Sequence, residues 1–135
     1  MKFFKYVVIL IMTSIFVTGS AFMATTNDIV STINESIARG DAQKLSKYLG
    51  SNVEMNILGS SSVYSKTQAV SILSNFFATN PVKSYSIKQG GSISENTKFS
   101  IGTYISTNSD SFKIYYVVKK NGLEEQITKF TIEKR

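Results

Sequence analysis

Isoleucines at positions 29, 33 and 37, with Val30 beside them, recur every four residues behind the polar run Thr25-Thr26-Asn27-Asp28. That spacing puts them on one face of a helix whose first turn the polar run can cap. Gly40 ends this helix, and Asp41 starts a shorter one in which Leu45, Tyr48 and Leu49 share a face before Gly50. The period then changes to two. Val53, Met55 and Ile57 alternate with Glu54 and Asn56, which predicts a strand with one buried face, broken by Gly59-Ser60-Ser61-Ser62. A brief extended piece at Val63-Tyr64 leads to Ser65-Lys66-Thr67-Gln68, the spacing of a capping box. In that motif the Ser65 hydroxyl accepts from the Gln68 amide and the Gln68 side chain reaches back to the Ser65 amide. Ala69, Val70, Leu73, Phe76 and Phe77 then form the apolar stripe of a third helix, which Asn80-Pro81 terminates.

After Pro81 the period stays at two. Tyr85 and Ile87 alternate up to Gly90-Gly91; Phe99, Ile101, Thr103 and Ile105 up to residues 107–110; Phe112, Ile114, Tyr116 and Val118 up to Asn121-Gly122; Phe130 and Ile132 follow. Asn121-Gly122 is expected as a two-residue hairpin turn, since both residues tolerate positive φ. Four strands joined by short turns make an antiparallel meander, so the chain reads as one α+β domain of order α-α-β-β-α-β-β-β-β. With the helices on one face, Met55, Phe76, Phe77, Tyr85, Phe99, Ile114 and Tyr116 are expected to point inward, filling a core or lining a pocket for a small apolar ligand. Tyr104, Tyr115 and Val117, with Lys113 and Lys119 near them, are expected on the opposite face as an association surface, for a homodimer or another protein partner.

The start of the chain belongs to none of these elements. Lys2 and Lys5 precede an apolar run at residues 6–17, and Thr18-Gly19-Ser20-Ala21 supplies small residues. This is the pattern of a signal peptide, residues 1–21, with cleavage after Ala21 and export to the periplasm or beyond. Membrane association is then limited to that segment before cleavage, and residues 22–135 form the domain. No cysteine is present, so no disulfide staples it. Removing 21 of the 135 residues leaves 114, enough for one core, and the remaining 13 basic and 9 acidic residues give a net charge of +4. Apart from the pair Lys119-Lys120 and the tail Lys134-Arg135, the lysines are scattered singly rather than set in a stripe with aromatics, which argues against nucleic acid as a partner. With neither histidine nor cysteine there is no transition-metal pattern, and no cofactor is implied.

The order of elements resembles the cone-shaped fold of nuclear transport factor 2 and ketosteroid isomerase. The segments "GDAQKLSKYL", "VYSKTQAVSILSNFFATNP", "IGTYIST" and "KIYYVVKK" resemble domain of unknown function 4783, a family of small secreted bacterial proteins, over nearly the whole chain after the leader. The resemblance implies three helices packed in the concavity of a curved, mainly antiparallel sheet. It also implies that the outer face of the sheet serves for dimerisation, as in other cone folds. It brings no assigned activity. Members of the family often carry a histidine where this chain has Lys88 before Gln89-Gly90, and this chain has no histidine at all.

Two groups of residues invite a catalytic reading. Ser65 and Lys66 are neighbours, but a serine-lysine dyad needs the side chains to meet, and a serine at a helix cap points at the helix amides instead. Acid-base chemistry of the ketosteroid-isomerase kind needs a carboxylate inside the cone. Glu54 is the one candidate within a strand, and it reaches the interior only if a bulge reverses its parity. The expectation is therefore a non-enzymatic exported domain that binds a small apolar ligand or a protein. The alternative is a cofactor-free acid-base enzyme of the isomerase or lyase type.

Overall fold

In the computed structural model, which describes residues 28–135, α1 (Ile29–Ala38) begins where the Asp28 carboxylate accepts from the Val30 amide at 3.3 Å. The leader and its cleavage point lie outside the described residues. Ile33 and Ile37 of α1 are fully buried, and Gly40 turns the chain at φ 61°. Asp41 then accepts from the Lys44 amide at 3.0 Å and opens α2 (Ala42–Ser46). This helix is shorter than its apolar spacing predicts. Leu49 pairs with Ile127 and starts β1 (Leu49–Ile57), while the Tyr48 carbonyl accepts from the Ile127 amide. A distant strand thus takes the two residues that would have formed the last turn of α2, and Gly50 is strand rather than helix stop.

β1 turns back into β2 (Ser60–Ser65) through Leu58 and Gly59, both at positive φ (53° and 90°), as a type I′ hairpin requires. The serines expected to break the strand are part of it: Ser60, Ser61 and Ser62 pair with Ile57, Asn56 and Met55. α3 (Lys66–Thr79) follows directly, and its start carries the capping box. Ser65 Oγ accepts from the Gln68 amide at 3.3 Å, and Gln68 Oε1 accepts from the Ser65 amide at 3.1 Å. Ala69, Leu73, Phe76 and Phe77 are the buried stripe of α3. Its end is held by the Asn80 amide donating to the Phe76 carbonyl at 2.8 Å, just ahead of Pro81.

The meander consists of β3 (Val82–Ser94), β4 (Thr97–Ser106), β5 (Ser111–Asn121) and β6 (Glu124–Lys134). The strand order is β2-β1-β6-β5-β4-β3, with only the β1–β6 pair parallel. β3 does not stop at Gly90-Gly91 but continues to Ser94. Its pairing with β4 shifts register near Lys83, Lys88 and Ile93. Two of the three shifts thus set a lysine on this edge strand, which discourages edge-to-edge pairing. The β5–β6 turn also sits one residue later than expected. Asn121 pairs with Glu124, so the turn residues are Gly122 and Leu123, and of these only Gly122 has positive φ, the pattern of a II′ turn.

All three helices pack on one face of the sheet. Val53 and Met55 from β1, Ile114 and Tyr116 from β5, and Phe130 and Ile132 from β6 meet Ile33, Ile37, Leu45 and Leu73 from the helices, all without solvent exposure. Each such aliphatic or aromatic side chain contributes about 1.5–3 kcal/mol by leaving water. Among the described residues no helix is long and apolar enough to cross a membrane.

Candidate functional site

The helix-facing side of the sheet is largely occupied by rings. Phe76 lies 5.7 Å from Phe77, 5.1 Å from Phe112 and 5.5 Å from Tyr104 between ring centroids, and Tyr85 lies 6.5 Å from Tyr104. Tyr116 stacks on Phe130 at 6.1 Å. Met55, Phe76, Phe77, Tyr85, Ile114 and Tyr116 are all on this side, and they pack against one another and the helices as core. Polar atoms within it are mostly paired. The Tyr116 hydroxyl lies 2.8 Å from Asn34 Oδ1 and 3.1 Å from the Val30 carbonyl, and the Ser100 hydroxyl lies 3.4 Å from Asn34 Oδ1. Burial raises the ionisation of Tyr85 and Tyr116 well above the usual phenol range. Both phenols remain neutral at physiological pH, Tyr116 as a hydrogen-bond donor and Tyr85 with its buried hydroxyl unpartnered. The buried polar residues among those described are Ser36, Ser100 and Ser106, so no carboxylate is buried in this core.

β4 reverses two expectations. Ser100, Gly102, Tyr104 and Ser106 face the helices, whereas Phe99, Ile101, Thr103 and Ile105 face outward and are half-buried. Tyr104, expected on the association surface, is a core residue with no exposure, and its hydroxyl donates to the Asn80 carbonyl at 2.6 Å. Phe99, expected inside, lies on the outer face 6.4 Å from Tyr115. The cause is the space already taken inside. A Cβ on Gly102 would stand 2.5 Å from the Tyr85 ring, so position 102 of the inner row has space for glycine, while Tyr104 in the same row packs beside Tyr85.

The outer face therefore carries Phe99, Ile101 and Ile105 from β4 beside Tyr115 and Val117 from β5. Charged pairs edge this apolar row: Lys113 with Glu133 at 3.9 Å and Lys129 with Glu54 at 3.5 Å. A groove of about 430 Å³ runs beside it, lined by Glu54, Ile93, Val117, Lys119 and Lys129 among others. Glu54 thus sits outside the cone, in register with Lys129 on the neighbouring strand and half-exposed. The β1–β6 pairing does shift register between Leu49 and Glu54, but this does not turn Glu54 inward: Asn52–Ile57 pair continuously with β2, and Val53 and Met55 on either side of Glu54 are the buried residues. Ser65 is engaged by Gln68, and Lys66 is exposed. Of this outer row, sequence reasoning placed Phe99 inside and gave Ile101 and Ile105 no face; the signal was the opposite row of the same strand, in which Ser100, Gly102 and Ser106 are small.

A family model described as "Domain of unknown function (DUF4783)" matches residues 30–133. Among solved structures, the chain is similar to a DUF4783 family protein from Bacteroides ovatus, at 28% identity and TM-score 0.73, over 78% of this chain and 94% of that one. A DUF4783 family protein from Bacteroides fragilis aligns at 26% identity and TM-score 0.73, over 80% of this chain and 100% of that one. More distantly, an NTF-2-like protein of unknown function from Silicibacter pomeroyi shares the fold at 13% identity and TM-score 0.57, over 78% and 89% of the two chains. No curated protein matches the sequence. The helices in the hollow of a six-stranded sheet are thus the NTF2-like cone, and the chain belongs to the DUF4783 family.

Proposed function

We propose that this chain is an exported, non-catalytic binding module that pairs with a second copy of itself through the outer face of its sheet. The observation that carries this reading is the row Phe99, Ile101, Ile105 and Tyr115, half-buried apolar side chains on a sheet face that no helix covers, with Val117 packed beneath them at 6% exposure. Such a row rimmed by polar groups has the composition of an association surface. The rim favours a second copy over a strongly charged partner. Glu54, Glu133, Lys113 and Lys129 are already paired within the chain and leave Lys119 as one further positive charge beside the row, so two such faces meet with little net repulsion.

The competing readings have less support. A small apolar ligand inside the cone would have to displace rings packed at 5–6 Å from one another. An acid-base enzyme would need a carboxylate where the buried polar residues are serines. Export rests on the basic and apolar pattern of residues 1–21, with which the lack of cysteine is compatible.

Light scattering on the chain freed of residues 1–21, beside a Tyr115→Glu variant, tests the proposal. The wild type is expected as a dimer and the variant as a folded monomer, because a carboxylate at the centre of the row would be buried unpaired. A wild type that is monomeric at high concentration overturns the reading.

A further inference from the structure

At the end of the cone where α1 begins, an open cleft of about 880 Å³ is lined by Asp28, Ile29, Lys47, Tyr48, Lys98, Leu123 and Glu125. A smaller cavity of about 120 Å³ shares Lys98 and Glu125 with it. Glu125 has an unmet need here. Its Oε2 atom is buried without a hydrogen-bond partner, and the residue makes no ion pair among the described residues. The neighbouring cations do not supply one: Lys98 Nζ lies 3.6 Å from Asp28 Oδ1, Lys47 is exposed to water, and Lys120, opposite Glu125 on β5 and lining the smaller cavity with it, is exposed and makes no ion pair with it. Beside this oxygen the cleft offers apolar surface. Ile29 and Tyr48 are half-buried, and Leu123, at the second position of the II′ turn, is fully exposed at the rim.

These features specify what is missing. A carboxylate oxygen withdrawn from water calls for a donor, preferably a charged one. An anion is poorly matched, since Lys98 is already paired and Lys47 is well solvated. A metal is poorly matched too, because no group of three acidic, histidine or cysteine ligands occurs among the described residues. We propose that the cleft binds a primary ammonium carried beside an apolar side chain, the chemistry of a peptide amino terminus. The ammonium donates to Glu125, the apolar side chain lies against Ile29, Tyr48 and Leu123, and Lys47 faces the carbonyl groups that follow. This site is independent of the self-association face, because Glu125 lies at the mouth of the cone and Tyr115 on the outside of the sheet.

Two sources present this chemistry: a separate peptide or amine, and the chain's own amino terminus if cleavage leaves residue 22 first. The experiment follows amide chemical shifts of the chain freed of residues 1–21 during titration with L-phenylalaninamide. It is repeated after acetylation of the protein's α-amine. Saturable shifts at Ile29, Tyr48, Leu123 and Glu125 are expected, with affinity falling about tenfold or more in Glu125→Gln. N-acetyl-phenylalaninamide, which lacks the ammonium, is expected not to bind. If acetylating the protein tightens the probe, the site is assigned to the chain's own terminus; if it changes nothing, to a separate amine. No saturable shifts in either form of the protein, equal affinity for the acetylated probe, or equal affinity in Glu125→Gln would each overturn the proposal.

Discussion

Three buried phenols make the protein's stability sensitive to alkali. Burial pushes Tyr104 up to about 12 and raises Tyr85 and Tyr116 further. In the unfolded chain all three ionise near pH 10. A group whose pKa is raised by folding contributes fully below its unfolded value and loses that contribution as pH climbs toward its folded value. Stability is therefore expected to hold up to about pH 10 and to fall between about pH 10 and 12. Circular dichroism and tyrosinate absorbance recorded together check this. The buried phenols should ionise only as the fold is lost, whereas titration of every tyrosine near pH 10 in a folded protein would contradict their burial. Single residues were unevenly legible. Ser65 and Gln68 were, because a capping box is local and needs only its own four residues. Tyr104 was not, because its burial depends on Asn80 and Phe76, brought to it by the end of α3.

At the level of elements, the long periodic runs identified α1, α3 and the meander. The errors fell where another strand decided the outcome. α2 stops early because β6 pairs with Leu49, and the β5–β6 turn moves by one residue because Asn121 pairs with Glu124. β4 is the most instructive case, since both of its faces read as alternating rows. Which row faces inward is set by the Tyr85 ring on β3, which leaves room only for glycine at position 102. Gly102→Ala is accordingly expected to lower stability by about 1–3 kcal/mol through overpacking. Chemical denaturation measures it, and a double variant with Tyr85→Ala should show strong coupling between the sites. If Gly102→Ala were neutral alone, Tyr85 would not be what fixes the parity of β4.

For the whole molecule, the order of elements carried the fold. The cone follows from three helices with apolar faces, a strand pair, and a meander whose last strand returns beside the first. The outer face was legible only in part. Tyr115 and Val117 were assigned to it from the alternation of β5, while Phe99 on β4 was assigned inside, because an apolar row is normally read as core, and Ile101 and Ile105 were given no face. With Phe99, Ile101 and Ile105 on the outside, that face becomes a broader apolar surface than the sequence indicated, while the Tyr104 ring takes up space in the interior.

The central claim is that this outer face is where the molecule associates. Amide chemical shifts recorded over a range of protein concentration test it most directly. Concentration-dependent shifts are expected on β4 and β5, centred on Phe99, Ile101, Tyr115 and Val117, and are expected to disappear in Tyr115→Glu. Shifts confined to the helical side, or a spectrum that does not change with concentration and belongs to a monomer, would contradict it.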